Sequence, residues 1–489
     1  MTHRDIDPRA ANDAAALAKL GYVQELMRRM SGFSNFALSL SIICIPSGCI
    51  TSFGQGVCGV GGAAIGFGWP LGMLFALCVA STMGHIASAF PTAGGLYHWA
   101  AILGGRGWGW ATAWFNLGGI ITAVAAVNAG TVDFAASYLG YAPDGPTKVG
   151  ILALVTLSQA AFNHFGIRFT SRITDLSGYV ILFVTAGLVV AFALHGPQME
   201  FARLATFANY SGEAGGDLLP ASNSIPLLFA LGLLLPAYTM SGYDASAHVA
   251  EETIGAAQHV PRAMLRAVLV SGLIGWLMLG TVVATVPDFA AVVKAGEGAF
   301  ATAMRTTLPP TVAQCLFAGV VSVQYVCSLA CITSASRMVY AFARDGGMPF
   351  SYVLRRVDRR FRAPTYAVWS SAVAAIALNA FVPYLAIAAS CAVLLYVSYV
   401  IPIALGFLAY GRSWTRMGPW SLGRAYKPFA ATAVTGCAGL LVIAIQPPNG
   451  DALWIVGGLA IALALCWPFV SRFFPGPPAA LLERAGHLD

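Results

Sequence analysis

Apolar runs of roughly twenty residues recur along this chain, separated by short polar connections carrying glycine and proline. A helix crossing a bilayer needs about 20 mostly apolar residues. That pattern predicts twelve spans, at approximately 32–57, 66–90, 108–140, 148–165, 175–195, 225–250, 263–287, 311–342, 363–381, 384–410, 428–446 and 452–473. The third and eighth are long enough to tilt or to project from the bilayer. The segment 290–310, with Gly296, Gly298, Pro309 and Pro310, reads as an external loop with some helix. The predicted fold class is therefore an all-α membrane protein with twelve transmembrane helices.

Two of the runs are interrupted. The first is broken at Ile45, Pro46, Ser47 and Gly48, the sixth at Ser241, Gly242, Tyr243 and Asp244. Pro46 removes a backbone donor and Gly48 loosens the chain. The bland reading is a proline kink, which neighbouring helices tolerate. The functional reading is a short unwound stretch whose free amides and following half-helix face an anionic group such as a carboxylate. A pair of interrupted spans at corresponding positions of two halves is the pattern that points to a transporter's binding site, which favours the functional reading.

Asp244 sharpens this picture, because a carboxylate within a membrane span is costly and marks a functional site by default. It has two functional readings, counter-ion to an ammonium group or proton carrier. The structural alternative is a cap on the inner half-helix through backbone amides. Tyr243 is read either as closing over a bound solute or as ordinary packing with its hydroxyl satisfied.

Composition agrees with the pattern. The chain is 58% hydrophobic and 10% charged, against about 25% charged in a soluble domain. One membrane domain is expected rather than several soluble ones. With the N-terminus inside, all of the 27 lysines and arginines except Lys148, Arg203, Lys294 and Arg305 fall in the inner loops and termini. Such a bias predicts cytoplasmic N- and C-termini in a plasma (inner) membrane. The net charge of +7 then calls for no nucleic acid, since basic loops face anionic lipid.

The ten cysteines lie in or beside apolar stretches and form no CxxC pair. They read as packing residues, so neither a metal nor a disulfide is expected. The first 31 residues are polar, without the apolar core of a cleavable leader. Asn12 and Asp13 are placed to cap a short amphipathic helix containing Leu17 and Leu20. This helix is expected either on the membrane surface or docked on the inner face of the protein.

Other polar positions are candidates for ion coupling. His85 sits near the end of the second span, and Ser328, Thr333 and Ser334 carry hydroxyls in the eighth. Each has a plainer fate: a packed histidine, and hydroxyls bonded back to their own helix. Arg337 and Arg344 are seven apart and share a helix face. They are expected to anchor the helix end or to pair with acidic residues of the inner loops.

Several passages together resemble the amino acid–polyamine–organocation transporters, and among them the amino acid/choline/γ-aminobutyrate permease branch. These are Leu20 to Leu26 with Phe33 to Phe36; Pro91-Thr-Ala-Gly-Gly-Leu-Tyr97; Ser241-Gly-Tyr-Asp-Ala-Ser-Ala-His-Val-Ala-Glu-Glu-Thr253; and Ser336-Arg337 through Pro349. The resemblance implies a LeuT-like five-plus-five inverted repeat with two further C-terminal helices. It divides the chain into an arm over 1–31, repeats over 32–196 and 224–411, two added spans over 428–474 and a tail over 475–489. It also implies that the first and sixth helices unwind around a substrate at Ile45, Pro46, Ser47 and Gly48 and at Ser241, Gly242, Tyr243 and Asp244. Members of this family often carry a Glu where this chain has His85, and some proton-coupled ones a Lys in the fifth helix, which is absent between Thr174 and Leu194.

The expectation is a secondary active permease for an amino acid or related small amine, working by alternating access. It has no cofactor and uses proton symport or exchange, with sodium left open as the coupling ion. Alternatives are a choline or polyamine carrier of the same fold, or a sensor that keeps the fold without transporting. An intramembrane enzyme is disfavoured, because neither HExxH nor GxSxG occurs and Asp244 and His85 have no evident third partner. The partners implied are a small solute and the lipid bilayer; nothing in the sequence specifies an oligomeric state.

Overall fold

The computed structural model describes residues 8–141, 143–212 and 218–483. Helix occupies every one of the predicted apolar segments. Among the described residues, nine helices are long and apolar enough to cross a membrane. The remaining three segments are helical but shorter or more polar: Gly145–His164, Ile225–Thr239 and Thr365–Phe381. The loop predicted over 290–310 contains the short helices Phe289–Lys294 and Ala299–Thr307.

Local sequence sets where the helices start. Ser31 accepts from the Ser34 amide at 3.0 Å to open Gly32–Ile43, and Asp144 accepts from the Thr147 amide at 3.2 Å to open Gly145–His164. Both remove an orphan donor from a first turn. Proline sits in the first turn of Ile45–Thr51, Trp69–Ala89, Ile225–Gly232 and Pro310–Arg344, where its missing N–H is not needed.

Burial separates centre from rim. The first span, taken over Gly32–Thr51, is 83% buried, whereas Gly450–Val470 is only 6% buried. An apolar helix so exposed is stable only against lipid. At the centre, Arg106–Leu139 packs on Tyr384–Ala409 and on Pro310–Arg344, while Ala256–Thr285 packs on Trp69–Ala89 and on Gly32–Ile43. The interrupted segments lie inside this ring.

One end of the bundle is closed by charge pairs. Arg337 donates to both carboxylate oxygens of Glu252 at 2.9 and 3.2 Å, and both side chains are fully buried. Arg344 grips Glu251 in the same two-pronged way at 3.0 and 2.9 Å and stacks over the Tyr22 ring at 3.8 Å. The shared face expected of the two arginines thus meets the acidic pair.

The N-terminal arm completes this end. Its helix runs Pro8–Ala18, so Asn12 and Asp13 lie within it rather than at its cap, contrary to the sequence expectation. Asp13 instead accepts from the Gly255 amide at 2.7 Å, and Leu17 and Leu20 are buried. The arm is therefore docked on the bundle, as one of the two expected placements required. It continues as an extended strap whose Met30 amide bonds the Glu252 carbonyl at 2.8 Å. Arg4 and Arg484, counted among the inner basic residues, lie outside the described residues.

Removing one partner of a buried ion pair leaves an uncompensated charge and costs about 3–5 kcal/mol, whereas replacing both with apolar residues is far milder. Glu252→Ala is expected to lower the melting temperature in detergent sharply, and adding Arg337→Leu to restore most of the loss. Equal melting of single and double variants would contradict the pairing.

Candidate functional site at two helix breaks

The first interruption turns on Cys44, which adopts a left-handed conformation at φ 35° and ψ 81° between Gly32–Ile43 and Ile45–Thr51. Such a conformation in a residue with a Cβ costs about 1–3 kcal/mol and persists only where the surroundings enforce it. The second lies between Leu234–Thr239 and Ala245–His248. There Gly242 takes φ +87°, which a side chain would disfavour.

Two glycines let the breaks approach. A Cβ on Gly48 would lie 2.6–2.8 Å from Thr239, and one on Gly242 would strike Ile42. The first helix also satisfies polar groups of the second break. Ser39 Oγ donates to the Tyr243 carbonyl at 3.1 Å, and Asn35 Nδ2 donates to the Ser246 carbonyl at 3.0 Å.

Asp244 is 1% exposed. Its Oδ1 accepts from the Tyr399 hydroxyl at 2.7 Å, and its Oδ2 accepts from Asn116 Nδ2 at 2.9 Å and lies 3.3 Å from His248 Nε2. The Tyr399 oxygen meanwhile accepts from the Gly242 amide at 3.0 Å. One hydroxyl thus ties the free amide of the break to its carboxylate. The capping alternative fails: the Asp244 side chain makes no bond to a backbone amide of the following half-helix. Asn116 and Tyr399 on other helices take its lone pairs instead.

A small cavity of about 40 Å³ lies where the breaks meet, room for about three waters. Ser47, Gly48, Ser241, Gly242, Asp244 and Ser334 contribute to its lining together with Tyr238 and Thr239. Thr239 Oγ1 is buried without a hydrogen-bond partner. The remaining wall is apolar or thiol, including Ile120, Val127, Cys327, Cys331, Cys391 and Leu395. Tyr238 also borders a second, wider cavity of about 620 Å³ lined by Asp133, Lys148, Glu297 and Tyr384. Lys148 pairs with Asp133 at 2.6 Å. Burial, and then the nearby Asp133 charge, hold the Glu297 carboxyl above its ordinary range.

The predicted site residues divide. Ile45 and Pro46 are buried in the first helical turn after Cys44, so 45–48 is helical rather than unwound as expected, and neither residue lines the cavity; the Tyr243 ring packs against Tyr399 at 5.4 Å. Ser334 faces the cavity. Ser328 bonds Gln159 at 3.1 Å and Thr333 bonds Asn163 at 2.7 Å, both on the Gly145–His164 helix. His85 is elsewhere: its Nδ1 accepts from the Leu422 amide at 3.0 Å, and its ring packs against Tyr410, Trp414 and Tyr426. Sequence reading missed Asn116, His248, Thr239 and Tyr399. Of these, Asn116 carried a signal, as a bare amide midway along an apolar run.

Membrane-length helices enclosing a polar cavity at two helix breaks are the architecture of a solute carrier. Comparison with known proteins agrees. The amino acid permease family model matches residues 30–468. The amino-acid permease BAT1 of Arabidopsis thaliana is 32% identical, with 96% of each chain covered. Its homolog in Oryza sativa subsp. japonica is 31% identical, with 95% of each covered. The GABA-specific permease of Saccharomyces cerevisiae is 24% identical over 97% of this chain and 87% of its own. The chain belongs to the amino acid permease family, and with it to the amino acid–polyamine–organocation superfamily. It is an integral membrane transporter.

Tyr399→Phe removes the group that bridges the Gly242 amide to Asp244, leaving both short of a partner, at about 1–3 kcal/mol. Initial uptake is expected to fall by about tenfold or more, with monodisperse, folded protein by gel filtration. Wild-type uptake by this variant would show that the bridge does not shape the site.

Proposed function

We propose that this permease carries an amino acid or related small amine with an uncharged side chain, by secondary active transport. The observation that carries the proposal is the convergence of both helix breaks, with buried Asp244, on one cavity. The substrate carboxylate faces the start of Ile45–Thr51, the half-helix that follows the turn at Cys44, whose N-terminal end is electropositive. The ammonium faces the carbonyls around 241–243, the Thr239 hydroxyl and the Asp244 carboxylate. Among the described residues Asp244 is the only charged side chain in the lining, the rest being hydroxyl, thiol or apolar, and a charged substrate side chain there would pay desolvation without a charged partner.

In this reading the chain has twelve spans, with repeats over 32–196 and 224–411, two added helices over 428–474 and both termini in the cytoplasm. The end closed by Glu251, Glu252, Arg337, Arg344 and the arm is the cytoplasmic gate, and the 620 Å³ cavity is the external vestibule. Tyr238, shared by both cavities, divides site from vestibule. Rocking of the broken helices then opens one side at a time. Ser328 and Thr333 are engaged by Gln159 and Asn163, which favours proton coupling or exchange over sodium bound at those hydroxyls. The relatives' names, amino-acid permease and GABA-specific permease, support the same substrate class.

Counterflow in proteoliposomes tests this. Neutral amino acids or γ-aminobutyrate are expected to exchange without sodium, and lysine, arginine and glutamate not to compete. Asp244→Asn is expected to lose binding or pH-dependent coupling while staying folded. Exchange of choline or polyamines alone would overturn the substrate assignment, and unchanged transport by Asp244→Asn would overturn the role of the acid.

A further inference from the structure

Four thiols gather at the central cavity. Cys44 is the left-handed residue of the first break. Cys327 and Cys331 lie one turn apart on Pro310–Arg344, and Cys391 lies on Tyr384–Ala409. The last three line the cavity itself.

Two of these thiols are reciprocally placed. Cys44 Sγ donates to the Val323 carbonyl at 3.6 Å, one turn from Cys327 on the same helix. Cys327 Sγ donates to the Ile42 carbonyl at 3.2 Å, two residues before Cys44. Each thiol is bonded to the backbone beside the other, which sets the sulfurs next to one another. Cys331 follows Cys327 by one turn of the same helix. A Cys327–Cys331 bond would have to join nearly parallel side chains of one helix, which disulfide geometry disfavours. A Cys44–Cys327 bond instead joins two separate segments.

We propose that Cys44 and Cys327 are a reversible oxidation site that locks the carrier. A peroxide reaching the cavity from the wider chamber past Tyr238 oxidises the pair. The two S–H bonds and the peroxide O–O bond break, one S–S bond forms, and the two electrons given up by the thiols reduce the peroxide to two waters. The new bond fastens the first break to the Pro310–Arg344 helix at the point where the backbone must turn. It rests on the reading of that break as the moving part of the substrate site, and a tied break cannot rock. Reduction by a dithiol frees it. The cavity thereby takes a second class of chemistry, a small neutral oxidant.

The test uses the full-length protein in proteoliposomes, treated with hydrogen peroxide, then with dithiothreitol. Counterflow is expected to be lost on oxidation and recovered on reduction. Peptide mapping by mass spectrometry is expected to find Cys44 joined to Cys327, two hydrogens lighter than the free pair. Cys44→Ser and Cys327→Ser, each measured against its own untreated rate, are expected to keep their counterflow in peroxide, and Cys437→Ser to remain sensitive. Free Cys44 and Cys327 after peroxide treatment, or undiminished counterflow in fully cross-linked protein, would overturn the proposal. Mapping decides this even where a serine variant fails to fold. A reduced wild type that exchanges no amine would sink the transport reading instead, and the mapping would still report on the pair.

Discussion

The Tyr399 hydroxyl holds the arrangement on which the rest depends. An interrupted helix inside a membrane exposes amides and carbonyls to a medium that offers them no water, and each unsatisfied group costs several kcal/mol. The sequence of the second break creates that problem at Gly242 and adds a carboxylate two residues later. Tyr399 answers both at once, accepting from the Gly242 amide and donating to Asp244. Asn116 and His248 take up the rest of the carboxylate. The break is therefore a defined shape rather than a frayed one, and at the cavity the Thr239 hydroxyl is left with open hydrogen-bonding capacity.

The same constraint organises the end closed by charge. Glu251 and Glu252 follow the broken helix directly, and burying them requires Arg344 and Arg337 from the longest helix of the bundle. The N-terminal strap lies across these pairs, with Tyr22 under Arg344 and donating to Asp345 at 2.8 Å. Paired buried charges contribute little net stability but penalise misplacement strongly. They favour a matched arrangement over a shifted one, as the proposed gate requires. The opposite end has a water-accessible cavity and no comparable seal among the described residues.

How much of this the sequence discloses depends on the range of the interaction. The helices follow from the apolar pattern alone, nine of them membrane-length among the described residues, and both breaks were legible because proline, glycine and an acid interrupt that pattern. The pairing of Arg337 and Arg344 with acids followed from their spacing. The role of Asp244 did not. Two of its partners, Asn116 and Tyr399, sit more than a hundred residues away on either side, and nothing in the sequence pairs them with it. A cap stood beside the counter-ion and proton-carrier readings because only local neighbours were visible. His85 takes the plainer of its two readings: the fold packs it against Tyr410, Trp414 and Tyr426, away from the breaks. Asn12 and Asp13 looked like caps, but the helix already runs through Pro8–Ala18 and takes them into its interior.

The central claim is that the two breaks together form the substrate site. A density map of the protein with a bound neutral amino acid tests it most directly. The account predicts ligand density between 45–48 and 241–244, within hydrogen-bonding distance of Thr239 Oγ1, with the Tyr399 bridge intact. Density confined to the chamber around Asp133 and Glu297, with the breaks unchanged and empty, would contradict it.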